Sequence, residues 1–343
     1  MRRLAVRFSV IVLPDDRRVH EQPTPTVGGA AMYVGLLVAM IVASQMHGLS
    51  FLFRGSSDPL GLVLAASTIF AVGLVDDVRE MSAPAKISGQ ILAGMVLYLF
   101  GISMLYFRAP FLGTVVLSAD LIPVLTVIWV VGMANAVNLV DGLDGLAAGI
   151  VAIAAATFFF YSHQLVSSGI VQPGSGPLFC VIVVGICVGF LPHNFHPARI
   201  FMGDAGALLL GLLMAASTMQ VVGQTDQDFS GRTFFFFAPV LIPFLILGIP
   251  ILDTAFAIVR RAGRRMNPAM ADKNHLHHRL MRLGHGQTRS VLILWTWTAL
   301  LSGLVLAPSY AKGSLSIVPF GIAGLAVALY TLFGVRGRTP EKV

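Results

Sequence analysis

Residues 121–162 read LIPVLTVIWVVGMANAVNLVDGLDGLAAGIVAIAAATFFFYS. Two apolar runs, 121–139 and 145–162, stand either side of a short turn bearing Asp and Gly. Each is close to the ~20 apolar residues that carry a helix across a bilayer. Lipid offers the backbone no hydrogen-bond partner, so such a run crosses as a helix that bonds to itself. The stretch therefore reads as two antiparallel membrane helices with their polar residues gathered at the joint.

Similar runs at 29–46, 59–75, 87–107, 177–191, 205–222, 233–259, 290–308 and 314–335 bring the expected spans to ten. An eleventh run, 4–13, is too short to cross and reads as a helix tail, a signal-like remnant or an interfacial helix. No small-residue cleavage site follows it. Across all 343 residues, 56% are hydrophobic and 11% charged, with mean hydropathy +0.82. A soluble domain carries about 25% charged residues, so a soluble enzyme, a disordered chain and a collagen-like fibre are all excluded. The expectation is one all-α polytopic membrane domain over 1–343, with ten to eleven transmembrane helices. RAPFLGTVVLSAD (108–120) reads as a short external β-hairpin, with Val115, Val116 and Leu117 as its best strand residues. No internal repeat is evident. Cys180 and Cys187 lie seven residues apart in one run, two helical turns and roughly 10.5 Å, too far for a disulfide.

The net charge of +7 reads as cytoplasmic loops rather than nucleic-acid binding. Alternating the ten spans puts 14–28, 76–86, 140–144, 192–204, 260–289 and the tail on one side. These hold sixteen Lys and Arg against four on the other, which makes theirs the cytoplasmic face. The same face collects Asp76, Asp77, Lys86, Asn135, Asn138, Asp141, Asp144, His193, Asn194, Asp204, His275, His277 and His278. Ionisable groups at the bilayer boundary cost free energy unless they serve a cation, a proton or a substrate.

Asp76 and Asp77 end an apolar run, with Lys86 ten residues on. Adjacent carboxylates both stay ionised only beside a cation, and acids at a helix C-terminus oppose its dipole, which argues against a merely solvated end. Asn135, Asn138 and Asp141 recur every three residues, and Asp144 continues the series across glycines. Such groups suit ribose, base and diphosphate near a metal, whereas an Asx-Gly turn alone needs only one Asp. Asp204 reads as a helix N-cap or as part of a ligand site, since the glycines on both sides favour a ligand approaching the backbone. His275-Leu276-His277-His278-Arg279 lies in the most basic loop and lacks the HExxH spacing of a zinc protease. It suits an anionic phosphate, with lipid headgroups as the competing partner. Asp253 reads as a structural partner of Arg260 or Arg261.

The motifs DRRVHEQPTPTVGG (16–29), DDVREMSAPAKISGQ (76–90), NAVNLVDGLDGLAAG (135–149), HPARIFMGDAGALLLG (196–211) and DKNHLHHRL (272–280) resemble the polyprenyl-phosphate N-acetylhexosamine-1-phosphate transferases. The branch resembled is the WecA/TagO-like one, which starts envelope polysaccharides and teichoic-acid linkage units. Its sister, the phospho-MurNAc-pentapeptide transferases, carries a different His run. The resemblance implies transfer of GlcNAc-1-phosphate, or another N-acetylhexosamine-1-phosphate, from a UDP-sugar to undecaprenyl phosphate. UMP would leave at the cytoplasmic face of the cell membrane, with Mg²⁺ or Mn²⁺ as cofactor.

It further implies Asp204 and Asp77 as metal ligands, and Asp76, Asp77 and Asp144 as catalytic groups. Lys86, Asn135, Asn138, Asp141, Asn194, His275, His277, His278 and Arg279 would bind substrate. UDP-N-acetylhexosamine, the polyprenyl phosphate and the bilayer are the implied partners, and the resemblance leaves room for a homodimer. The family has a complete span before the DRRVH motif, where only about ten apolar residues stand here, so the resemblance implies a truncated first helix at about 1–13. A transporter, the competing class, would place its polar groups near the midplane in paired repeats.

Overall fold

The computed structural model describes residues 11–12, 24–109, 113–169, 171–222, 280–281, 285–310 and 314–333. A two-residue ladder, β1 (Ile11–Val12) with β2 (Thr24–Pro25), precedes α1 (Gly28–Gln45), a short α2 (Ser50–Gly55), α3 (Asp58–Arg79) and α4 (Ala83–Leu99). An antiparallel hairpin, β3 (Tyr106–Ala109) with β4 (Gly113–Val116), follows. Then come α5 (Leu121–Val140), α6 (Leu146–Ser167), α7 (Gly176–Asn194), α8 (Gly203–Val222), α9 (Gln287–Tyr310) and α10 (Val318–Phe333). Nine of the ten expected spans have a helix at their place, and the tenth, 233–259, lies outside the described residues. Among those described, six helices are long and apolar enough to cross a membrane: α1, α3, α5, α6, α7 and α8. The chain is an all-α polytopic membrane protein.

The hydrophobic run expected at 87–107 divides. It starts as helix four residues earlier, at Ala83, with Pro84 in its first turn. The helix ends at Leu99 because Gly101, at φ +93°, turns the chain into the hairpin. Val115 and Val116 are in β4 as expected. Leu117 lies just past it, its N–H bonded to the Leu105 carbonyl at 3.2 Å. The helical reading of 4–13 does not hold at Ile11 and Val12, which pair as strand with Thr24 and Pro25.

Helix α8 is the central post, packed by α1, α3, α5, α6 and α7 and buried along nearly its whole length. Lipid tails are as apolar as leucine, so helices associate there through close packing of small residues. A Cβ at Gly211 would stand 2.4 Å from the Ala134 Cα of α5, and one at Gly29 of α1 only 2.4 Å from the Gly206 nitrogen. The outer faces stay apolar too: Val38, Ile41, Leu92, Leu99, Val124 and Ile128 are all exposed. A helix that is hydrophobic all round is what a bilayer accepts. Cys180 and Cys187 are free and buried.

Alternation of the helices sorts the polar residues by end. Asp58, opening α3, accepts the Ser175 hydroxyl from before α7 at 2.9 Å. Close by, the Ser57 hydroxyl bonds the Phe100 carbonyl past α4 at 2.7 Å. At the opposite end meet the C-termini of α3, α5 and α7 and the N-termini of α4, α6 and α8.

Candidate active site

At that second end the chain 24–29 lies along 201–202. Phe201 N–H donates to the Pro25 carbonyl, Gly28 N–H to the Phe201 carbonyl and Gly29 N–H to the Met202 carbonyl, each at 2.9 Å. The glycine pair is required by this approach, since a Cβ at Gly28 would stand 2.5 Å from the Phe201 oxygen. Residues 196–204 are thereby held against the bundle.

Helix α8 then begins at Gly203, whose φ is +66°. The Asp77 carboxylate, from the end of α3, accepts the Asp204 N–H at 2.8 Å on one oxygen and the Ala205 N–H at 3.1 Å on the other. An anion at a helix N-terminus meets free N–H donors and the positive end of the dipole. Gly73, one turn back on α3, allows the approach, because a Cβ there would lie 2.4 Å from the Ala205 Cα. Asp204 is not the N-cap of its own helix; Asp77 fills that place from another. Each oxygen of Asp77 accepts one backbone N–H, which orients the carboxylate and leaves each oxygen a second lone pair.

Asp76, one position earlier on α3, points elsewhere. Its Oδ1 accepts the Met81 N–H at 2.6 Å and its Oδ2 meets Lys86 Nζ at 2.9 Å. The same ammonium is paired with Asp204 Oδ2. Asn138, with its amide turned to satisfy both neighbours, donates to Asp204 Oδ1 at 3.1 Å and accepts from Lys86 at 3.3 Å. The side chains of Asp76, Lys86 and Asp204 are 14%, 17% and 27% exposed, so the cluster is a partly screened cleft rather than open surface.

Asp141, at the C-terminus of α5, is partly buried. Its carboxyl is pushed up to about 7, first by that burial and then by the like charges of Asp204, Asp77 and Asp144. Lys86 stands, among the described residues, with the carboxylates of Asp76, Asp77, Asp141, Asp144 and Asp204 at this end. Among the described residues, no three Asp, Glu, His or Cys side chains already converge on one metal position.

The remaining polar residues of the motifs tie loops together. Asp144 Oδ2 accepts from His196 Nδ1 at 2.8 Å and from the Ala198 N–H at 3.1 Å. Asn194 is 2% exposed, accepts the Gly145 N–H at 3.0 Å and donates to the Ile200 carbonyl at 3.0 Å. Its amide thus ties the turn before α6 to the loop that follows α7. Asn135 Nδ2 donates to the Gln90 side-chain carbonyl at 2.7 Å and to the Val131 carbonyl at 2.8 Å.

The sequence reading missed Gln90, although a glutamine in the apolar run one turn after Lys86 was the signal. It also took the glycines around Asp204 as space for a ligand, where Gly203 instead makes room for Asp77: a Cβ there would lie 2.5 Å from Asp77 Oδ2. His275, His277, His278, Arg279 and Asp253 lie outside the described residues.

Residues 59–222 match the family described as Glycosyl transferase family 4. The chain is 38% identical to the decaprenyl-phosphate N-acetylglucosaminephosphotransferase of Mycolicibacterium smegmatis, over 99% of this chain and 86% of that one. It is 35% identical to the probable undecaprenyl-phosphate N-acetylglucosaminyl 1-phosphate transferase of Bacillus subtilis, over 86% of this chain and 76% of the relative. With the phospho-N-acetylmuramoyl-pentapeptide-transferase of Staphylococcus saprophyticus it shares 29% identity over 82% of this chain and 84% of the other.

Proposed function

The chain belongs to glycosyl transferase family 4, and we propose on that premise that it transfers GlcNAc-1-phosphate from UDP-GlcNAc to a polyprenyl phosphate, releasing UMP. The observation that carries this reading is the Asp76–Lys86–Asp204 cluster with Asn138 on its flank, at one end of an apolar bundle. A lipid-borne phosphate and a water-borne nucleotide can meet only at such an end.

The nucleophile is a phosphate oxygen, already largely ionised at neutral pH because its second pKa is about 6. No strong base is needed. The obstacle is repulsion between an anionic acceptor and an anionic diphosphate, and catalysis is then mostly positioning and charge neutralisation. Lys86 is the fixed cation for that work, and Asp76 holds its ammonium in place. Asp204 and Asn138 present oxygen atoms beside it, and Mg²⁺, or Mn²⁺ in its stead, would be held at this end by Asp204 with Asp77. When bound, the metal supplies further neutralisation of the diphosphate. Asp141 and the backbone of 142–145 lie beside the cluster, where nucleotide contacts are expected. The basic loop at 260–289 supports placing this end in the cytoplasm.

Purified protein incubated with UDP-GlcNAc tests the proposal. UMP should appear only when polyprenyl phosphate is added. Release of UMP at the same rate without the lipid would replace the transferase reading with hydrolysis.

A further inference from the structure

Gln90 is fully buried in α4, in a seam otherwise built of apolar and small residues. Its side-chain carbonyl accepts from Asn135 Nδ2 on α5 at 2.7 Å, and its Nε2 faces Asn135 Oδ1 at 3.4 Å. Asn135 Nδ2 also reaches the Val131 carbonyl one turn below, at 2.8 Å. The paired amides satisfy each other, and the fully buried Gln90 amide left alone would bear its desolvation cost.

The position of this pair gives it a further meaning. On α4, Lys86, Gln90 and Gly94 follow at i, i+4 and i+8, so they share one face. Gly94 meets α5 closely, since a Cβ there would lie 3.2 Å from the Val127 Cα. On α5, Asn138 is one turn beyond Asn135 on the same side. The amide pair therefore sits one turn behind the contact between Lys86 and Asn138. Apolar packing fixes how far apart two helices are but tolerates sliding along their axes. A two-point amide bond does not.

We propose that Gln90 is a positioning residue: paired with Asn135, it sets the axial register of α4 on α5 and so delivers the Lys86 ammonium to Asp204 and Asn138. The proposal rests on the transferase reading for its kinetic consequence, while its geometric content stands apart from it.

The test uses the full chain purified in detergent, with Gln90→Asn, Asn135→Gln and the double variant that exchanges the two side chains. Each single variant should lower kcat for UMP release at least tenfold, with the UDP-GlcNAc KM within threefold and the folded fraction unchanged. The exchanged pair, which restores the total length of the two amides, should recover kcat to within threefold of the starting protein. A second arm reads register without catalysis. Cysteines at Lys86→Cys and Asn138→Cys should join through a short thiol crosslinker, and adding Gln90→Asn should slow that reaction at least tenfold. Single variants with unchanged kcat per folded molecule, or a crosslinking rate indifferent to residue 90, would overturn the proposal. If a single variant does not fold, the exchanged pair decides: recovered kcat supports the register role, and a tenfold loss in folded protein defeats it. Absence of UMP release from the unsubstituted chain would instead strike the transferase reading, and the crosslinking arm would still judge the clamp.

Discussion

Asp77 holds Asp204 by its backbone, one carboxylate oxygen on the Asp204 N–H at 2.8 Å and the other on the next N–H, that of Ala205, at 3.1 Å. Its neighbour Asp76 instead holds Lys86 at 2.9 Å. Successive residues on a helix point about 100° apart, so an adjacent acidic pair naturally splits between two tasks. Here one acid fixes the start of α8 and the other fixes the cation that faces it.

Gly203→Ala should break that arrangement. A non-glycine residue at φ +66° costs roughly 1–2 kcal/mol, and its Cβ would stand 2.5 Å from the Asp77 carboxylate. A lower melting temperature and at least a tenfold loss of turnover are expected. Unchanged turnover in folded protein would mean the Asp77 cap does not govern Asp204.

Asp204→Asn keeps the volume and removes the charge. The α8 N-terminus, capped by Asp77 rather than by Asp204 itself, should stay formed, so the protein remains folded while turnover falls at least a hundredfold. The check is a thermal melt alongside UMP release over a Mg²⁺ titration; near-normal turnover would remove Asp204 from the metal-binding role.

Asp141 gives a pH dependence of definite sign. Its carboxyl is raised to about 7, above its unfolded value near 4. In chelator, the unfolded state then ionises first, so stability should fall as pH rises from about 4 to about 7 and level off above. Divalent-cation affinity should rise over the upper part of that window, as Asp141 becomes charged. Thermal unfolding and cation titration from pH 5 to 8 read both slopes, and Asp141→Asn should make both shallower.

Sidedness is open to labelling. Cys180 and Cys187 are buried, while Ser82 and Gln172 are exposed at opposite ends of the bundle. In intact cells, an impermeant thiol reagent should modify Gln172→Cys and spare Ser82→Cys. Labelling at position 82 from outside would invert the topology.

The spans were legible because a bilayer demands one thing of a backbone, and runs such as 121–139 and 145–162 answer it in composition alone. The clustering of Asp76, Lys86, Asn138 and Asp204 was legible from their alternation between helix ends. Roles within the cluster were not. Whether Asp77 faces a cation or a helix terminus depends on how α3 meets α8, which Gly73 and Gly203 decide through contacts far apart in sequence. Nor were the bonds of Asn135 to Gln90 and of Asn194 to backbone legible, because an amide in a motif looks the same in sequence whatever its partner.

Donor choice separates the two branches of relatives. UDP-GlcNAc should turn over and UDP-MurNAc-pentapeptide should not, in a competition assay with one polyprenyl phosphate. Preference for the pentapeptide donor would move the chain to the other branch.

The most direct measurement follows one phosphorus atom. With UDP-GlcNAc labelled at its β-phosphate and polyprenyl phosphate as acceptor, transfer of GlcNAc-1-phosphate carries the label into the lipid fraction and leaves unlabelled UMP. That is the expected result. Label retained on released UDP, with the sugar alone on the lipid, would contradict phosphoryl transfer at the Asp76–Lys86–Asp204 cluster.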